Sequence, residues 1–129
     1  MPKSYHNPST VFKPTGYTHA VKATGSTIYL AGQVGVGPDG KLVGKGDAKA
    51  QAEQAWKNIK NVLESVGAKL SDIVEVTTFA VHAEDAPGIK EVRLKHLPEK
   101  NLPAATLVVC SALARPELLV EIKVVAVIG

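Results

Sequence analysis

The last two extended segments of this chain are apolar on both sides, and this limits what it can fold into. In residues 118–128 (LLVEIKVVAVI), Val120, Ile122, Val124 and Ala126 take one side of a pleated strand, while Val125 and Val127 continue the other. In residues 104–113 (AATLVVCSAL), Leu107 and Val109 oppose Val108 and Cys110. A strand with one wet face alternates apolar and polar residues, so these two call for cover on both faces. The chain offers two helices. One starts after Asp47, whose carboxylate caps free N–H groups, and ends at Gly67, which adopts the left-handed conformation at little cost. Its Ala52, Ala55, Trp56, Ile59, Val62, Leu63 and Val66 recur at spacings of three and four and form one apolar stripe. The other spans residues 86–97, with Pro87 in its first turn. Two helices cover one face of a five- or six-stranded sheet. The second face therefore calls for another copy of the chain, since large exposed apolar faces are rare on monomers; the alternative is cover by loops, which are short and polar here.

The remaining elements follow from local signals. After an N-terminal coil, residues 18–23 and 27–33 read as strands joined by a hairpin turn at Gly25-Ser26. Residues 35–46 (GVGPDGKLVGKG) read as a mobile hairpin or loop, too short to separate two cores. Residues 72–82 (DIVEVTTFAVH) are rich in β-branched residues and read as a strand. Residues 114–117 (ARPE) turn between the last two strands. With one further short strand before the first helix, the order is β-β-β-α-β-α-β-β. This is an α+β fold, a mixed sheet of about six strands with two helices on one face, in a single domain over residues 1–129. Hydrophobic residues make up 45% of the chain, too many for a disordered one. No apolar run reaches the ~20 residues of a membrane span. Residues 1–10 lack the apolar centre of a secretory signal, and one Cys excludes an internal disulfide, so the expected compartment is the cytoplasm.

Few residues suggest chemistry directly. Glu121 and Lys123 share the parity of Val125 and so face away from the helix-packed side. A carboxylate held in a subunit interface is the kind of group used as a general acid or base, because desolvation disfavours its charged form; the alternative is a carboxylate paired with Lys123 or with solvent at a sheet edge. Cys110 shares parity with Thr106 and Val108 rather than Leu107, and reads as a structural thiol. His6, His19, His82 and His96 show no i, i+4 metal pair and read as surface or capping residues. The glycines from 32 to 40 match no phosphate-binding motif. Lys90, Arg93, Lys95 and Lys100 read as a solvated basic face of the second helix. The net charge of +3 is mild, and no aromatic residues are interleaved for base stacking, so nucleic acid is not an expected partner.

Several segments together resemble a known family. They are Pro14-Thr15-Gly16-Tyr17-Thr18-His19-Ala20-Val21, Ile28-Tyr29-Leu30-Ala31-Gly32-Gln33, and Gln51, Ala55, Asn58-Ile59, Val62-Leu63 followed by Gly67. Pro103-Ala104 and Val120-Glu121-Ile122 complete the pattern. Nearly the whole chain resembles the RidA/YjgF family, also called Rid, for reactive intermediate deaminase. The resemblance implies a chorismate-mutase-like α+β fold and a homotrimer with clefts between subunits that bind small carboxylates. It implies hydrolysis of reactive enamines or imines to 2-keto acids and ammonia, without metal or organic cofactor. Tyr17 and Glu121 match the family's site residues, Glu121 as the group that orients water, and Gly32 keeps the backbone position beside the pocket. Other positions depart. Ala105 stands where the family has a carboxylate-binding Arg, Ala31 where it has Ser, Leu107 where it has Cys, and Lys123 where it has a second Glu. The sequence therefore resembles a subgroup lacking the signature Arg, for which 2-aminoacrylate deamination is not assumed.

Ala supplies neither the charge nor the orientation of a bidentate Arg clamp. Arg93, Arg115 and Lys123 are the substitute cations considered. Two classes of function stay open. In one, Glu121 activates water for hydrolysis of an imine or enamine, with Tyr17 orienting the substrate. In the other, the chain binds or protects a small metabolite without turnover, consistent with the apolar Ala31, Ala105 and Leu107. RNA cleavage or translation inhibition has the least support.

Overall fold

The computed structural model describes residues 3–129. Among the described residues, seven strands and two helices follow one another. They are β1 (Lys3–His6), β2 (Ala20–Ala23), β3 (Ser26–Tyr29), β4 (Gln33–Val34), α1 (Ala48–Ser65), β5 (Ile73–Ala80), α2 (Ala86–His96), β6 (Ala104–Val109) and β7 (Val120–Ile128). The main sheet runs β3-β7-β5-β6, with β4 also pairing β7. β5 and β6 are parallel, and α2 lies in the crossover that parallel pairing needs. The other pairs in this sheet are antiparallel. The fold is α+β, as expected. Among the described residues no helix is long and apolar enough to cross a membrane.

α1 forms where its caps and apolar spacing direct it. Asp47 Oδ1 accepts from the Ala50 N–H at 3.1 Å. At the other end Gly67 takes φ 80°, and the Ala68 N–H returns to the Leu63 carbonyl at 2.9 Å. Ala52, Ala55, Trp56, Ile59 and Leu63 are fully buried in one core with Val120, Ile122, Val124 and Ala126. Val62 and Val66, expected in the same stripe, are 38% and 51% exposed. Val62 stands on the flank of the stripe, and Val66 lies past the last helical residue, where the helical period no longer applies.

The N-terminal third departs from expectation in three ways. Residues 3–6 are a strand rather than coil and pair antiparallel with β2, Tyr5 opposite Val21, as a separate two-stranded sheet. The expected hairpin between β2 and β3 does not form, because β3 pairs with β7 instead. Gly25 takes φ 141°, and a Cβ there would stand 2.9 Å from Gly129 Cα. The Gly25-Ser26 step thus carries the chain past the end of β7, from one sheet to the other. Alternating sequence specifies a strand but not its partner. Finally, the strand expected over 27–33 is interrupted. Tyr29 opposes Val125 and Gln33 opposes Ile122, so three residues, 30–32, face two on β7. The extra residue is a bulge, a device that re-aims side chains. Residues 35–46 do form a hairpin-like loop, with Val36 bridged to Leu42.

A buried amide ties these parts together. Gln51 is fully buried. Its Nε2 donates to the carbonyls of Gly44 and Glu117, both at 3.1 Å, and its Oε1 accepts from the Leu119 N–H at 2.8 Å. One side chain satisfies three backbone groups in irregular chain that have no ladder of their own. Gln51→Leu keeps the approximate volume but strands all three. We expect a loss of about 3 kcal/mol or more. It is read as a lowered urea midpoint at unchanged slope, and an unchanged midpoint would contradict the assigned role.

Candidate functional site

Glu121 lies in β7, opposite Val34 of β4 on one side and Phe79 of β5 on the other. Its neighbours Val120 and Ile122 are buried under the helices, so Glu121 and Lys123 belong to the other, open face. Glu121 is half-buried and Lys123 exposed. The Glu121 carboxylate lies against the bulge. A Cβ at Gly32 would collide with Oε2 and stand 2.8 Å from Cδ, so only glycine leaves room for it in this position. Asn58 of α1 fixes the far side of the bulge. Its Nδ2 donates to the carbonyls of Val34 at 3.1 Å and Val36 at 2.9 Å, while its Oδ1 accepts from Gln54 Nε2 at 2.9 Å. Ala31 is exposed, and its carbonyl accepts from Gln33 Nε2 at 3.2 Å.

A cavity of about 380 Å³ opens elsewhere, between α2, β6 and Tyr17. Ala105 and Leu107 line it together with Thr78, Pro87, Ile89 and Arg93. Leu107 pairs with Thr78, which pairs with Ile122, so these residues share the helix-covered face. Tyr17 is brought to the cavity by its flanking backbone. The Thr18 N–H donates to the Pro103 carbonyl at 3.1 Å, Lys90 Nζ to Thr15 O at 2.8 Å, and Arg93 Nη2 to Gly16 O at 3.2 Å. Arg93 Nε is buried and has no partner among the described residues. Burial draws the Arg93 pKa below the usual arginine value, because it disfavours the charged form, yet the group stays cationic.

Lys90 and Arg93, expected on a solvated basic face, thus turn toward this cavity. Lys95 keeps to the surface and pairs with Glu53 at 3.0 Å. Thr78 and Ile89 were not singled out from sequence, and Pro87 and Lys90 were read there only as a first-turn residue and a surface charge. For Pro87 and Lys90 the signal is spacing: with Arg93 they recur every three residues along one helix stripe.

The candidate residues fall into two groups. Tyr17, Ala105 and Leu107 meet at the cavity. Gly32 and Glu121 meet on the open face, with Lys123 beside them. β5 separates β7 from β6, and the two groups occupy opposite faces. Arg115 is in neither group and pairs with Glu117 at 3.0 Å in a turn. Thr106 and Val108 share the face of Glu121, by way of Thr77 and Phe79. The parity that Cys110 shares with them is therefore the parity of Glu121, a relation that sequence alone does not fix. Cys110 itself lies just past β6, half-buried, its N–H donating to the Ala80 carbonyl at 2.8 Å. His96, expected as a surface or capping residue, is half-buried in the last turn of α2 and stacks on Trp56 with ring centroids 6.0 Å apart.

Comparisons with known proteins agree with this architecture. The family model described as endoribonuclease L-PSP matches residues 10–128. A 2-iminobutanoate/2-iminopropanoate deaminase of Dermatophagoides farinae is 36% identical over 117 residues, 90% of this chain and 89% of the relative. A RutC family protein of Pyrococcus horikoshii is 36% identical over 115 residues, 88% of this chain and 89% of the relative. Among solved structures, YyfB of Yersinia pestis, described as a protein of unknown function of the conserved Rid family, superposes with a TM-score of 0.88. It is 34% identical and covers 99% of this chain and 100% of its own. On this match across nearly all of its length, the chain belongs to the Rid (RidA/YjgF) family, the family of the endoribonuclease L-PSP model.

Proposed function

We propose that the chain acts as a homotrimeric hydrolase of small imines or enamines. In each seam between subunits, Glu121 and Gly32 of one protomer complete the cavity that Tyr17, Ala105 and Leu107 form in the next. The observation that carries this is the separation of the two groups within one protomer. They lie on opposite faces of the sheet with β5 between them, so Glu121 does not reach the cavity of its own protomer and a second copy would supply it. The open face supports it. Tyr29 is 75% exposed and Val108 40%, both on the side of Glu121. Leaving such side chains in water costs stability that a partner copy recovers.

The chemistry follows from the groups present. Glu121 takes a proton from water as the oxygen attacks the imine carbon. The nitrogen accepts protons and leaves as ammonia, and a carbonyl remains. Tyr17 orients the substrate by its hydroxyl. The deaminase named among the relatives supports this class of bond. Binding without turnover is the second function considered. It is favoured by Ala105 in place of the expected Arg and by the apolar Pro87, Ile89 and Leu107 around the cavity.

Three outcomes test the proposal. Sedimentation at low micromolar concentration should give three-protomer particles, and Val108→Arg should break them. A well-folded lone protomer for the unaltered chain would overturn the shared site. Ammonia release from freshly generated 2-iminopropanoate should fall roughly 100- to 10,000-fold in kcat on Glu121→Gln. Equal rates would remove Glu121 from the chemistry, and a ligand-induced rise in Tm with no ammonia would select binding alone. Gly32→Ala should displace the carboxylate at a stability cost under about 1 kcal/mol while lowering kcat in the same direction. Full activity would show that the close approach is unnecessary.

A further inference from the structure

We propose that Arg93 is the anion-holding residue of this chain, and that the cavity beside it takes a carboxylic acid with a bulky apolar or aromatic body. The proposal rests on the cavity being the ligand site of the proposed function, and adds the ligand class and the residue that grips it. The chain has two arginines, Arg93 and Arg115. Arg115 is engaged with Glu117 in its turn. Arg93 lines the cavity, spends Nη2 on the Gly16 carbonyl, and keeps its Nε–H buried without a partner among the described residues. A carboxylate accepts from Nε–H and an adjacent Nη–H at once, a match in shape as well as charge. Lys90 adds a second positive charge to the lining, and none of the lining residues is acidic.

The rest of the lining sets the remainder of the ligand. Ala86, Pro87, Ile89, Ala105 and Leu107 give an apolar wall, with Thr78 and Tyr17 as hydroxyl donors. Ala105 leaves open the volume that a long cationic side chain would fill at that position. The resulting 380 Å³ lies in the range of pockets that enclose ligands larger than three- or four-carbon acids. A guanidinium supplied from the helix rather than the strand thus combines an anion grip with a wide apolar space.

The test uses unreactive probes with the full chain: 3-phenylpropanoate, its neutral amide 3-phenylpropanamide, and propanoate. By titration calorimetry the acid should bind roughly tenfold or more tightly than the amide, as expected for hydrogen bonds to a charged group. Propanoate should bind roughly tenfold or more weakly than 3-phenylpropanoate. Arg93→Met should erase the preference for acid over amide. Nitrogen-15 spectra of the unaltered protein, with the two arginine signals assigned through Arg115→Lys, should show the Arg93 Nε–H shifting with the acid but not the amide. Equal acid and amide affinity, a preference retained in Arg93→Met, an unmoved Arg93 Nε–H under bound acid, or propanoate binding as tightly as the larger acid would each overturn the proposal. If Arg93→Met fails to fold, the spectra decide. These probes are not hydrolysed. A chain that releases no ammonia from imines yet shows the Arg93-dependent preference refutes the hydrolytic function alone.

Discussion

A helix laid over a sheet must also satisfy the irregular backbone trapped beneath it, and α1 does so with two side-chain amides. Gln51 holds the 35–46 loop and the approach to β7, while Asn58 holds β4 just beyond the bulge. An apolar residue at either place would serve the core equally well by area but would leave carbonyls and N–H groups without partners. Both amides converge on the segments that flank Gly32 and Glu121. The position of the carboxylate is therefore set from the helix layer, through hydrogen bonds, although the carboxylate itself lies on the opposite face of the sheet.

Much of this was legible in the sequence where one residue type has one physical use. Asp47 and Gly67 marked the ends of α1, and the alternation in residues 120–126 marked which side of β7 packs under the helices. Tyr17, Ala105 and Leu107, distant in sequence, line one cavity, whereas Gly32 and Glu121 lie on the other face of the sheet. What the sequence did not reveal depends on partners chosen at long range. Residues 18–23 and 27–33 alternate as a hairpin would, yet pair with β1 and β7, because a strand's pattern leaves its neighbour unspecified. The bulge at 30–32 was hidden for the same reason, since it exists only relative to β7.

The basic stripe of α2 teaches a related lesson. Lys90, Arg93 and Lys95 look equivalent as charges in a run. Their fates differ with the angle each takes around the helix and with what stands opposite. Lys95 meets Glu53 at the surface, whereas Lys90 and Arg93 meet backbone carbonyls of the segment before Tyr17. A carbonyl carries no net charge, so the two cations in the cavity lining are not matched by an acidic side chain there.

That tether has a thermodynamic corollary. The guanidinium that secures the Gly16 carbonyl also borders the empty space next to Tyr17. A guest that draws on Nη2 competes with the Gly16 carbonyl for that group. Occupancy and the freedom of the 14–17 stretch are then linked quantities, each altering the other by one shared coupling free energy.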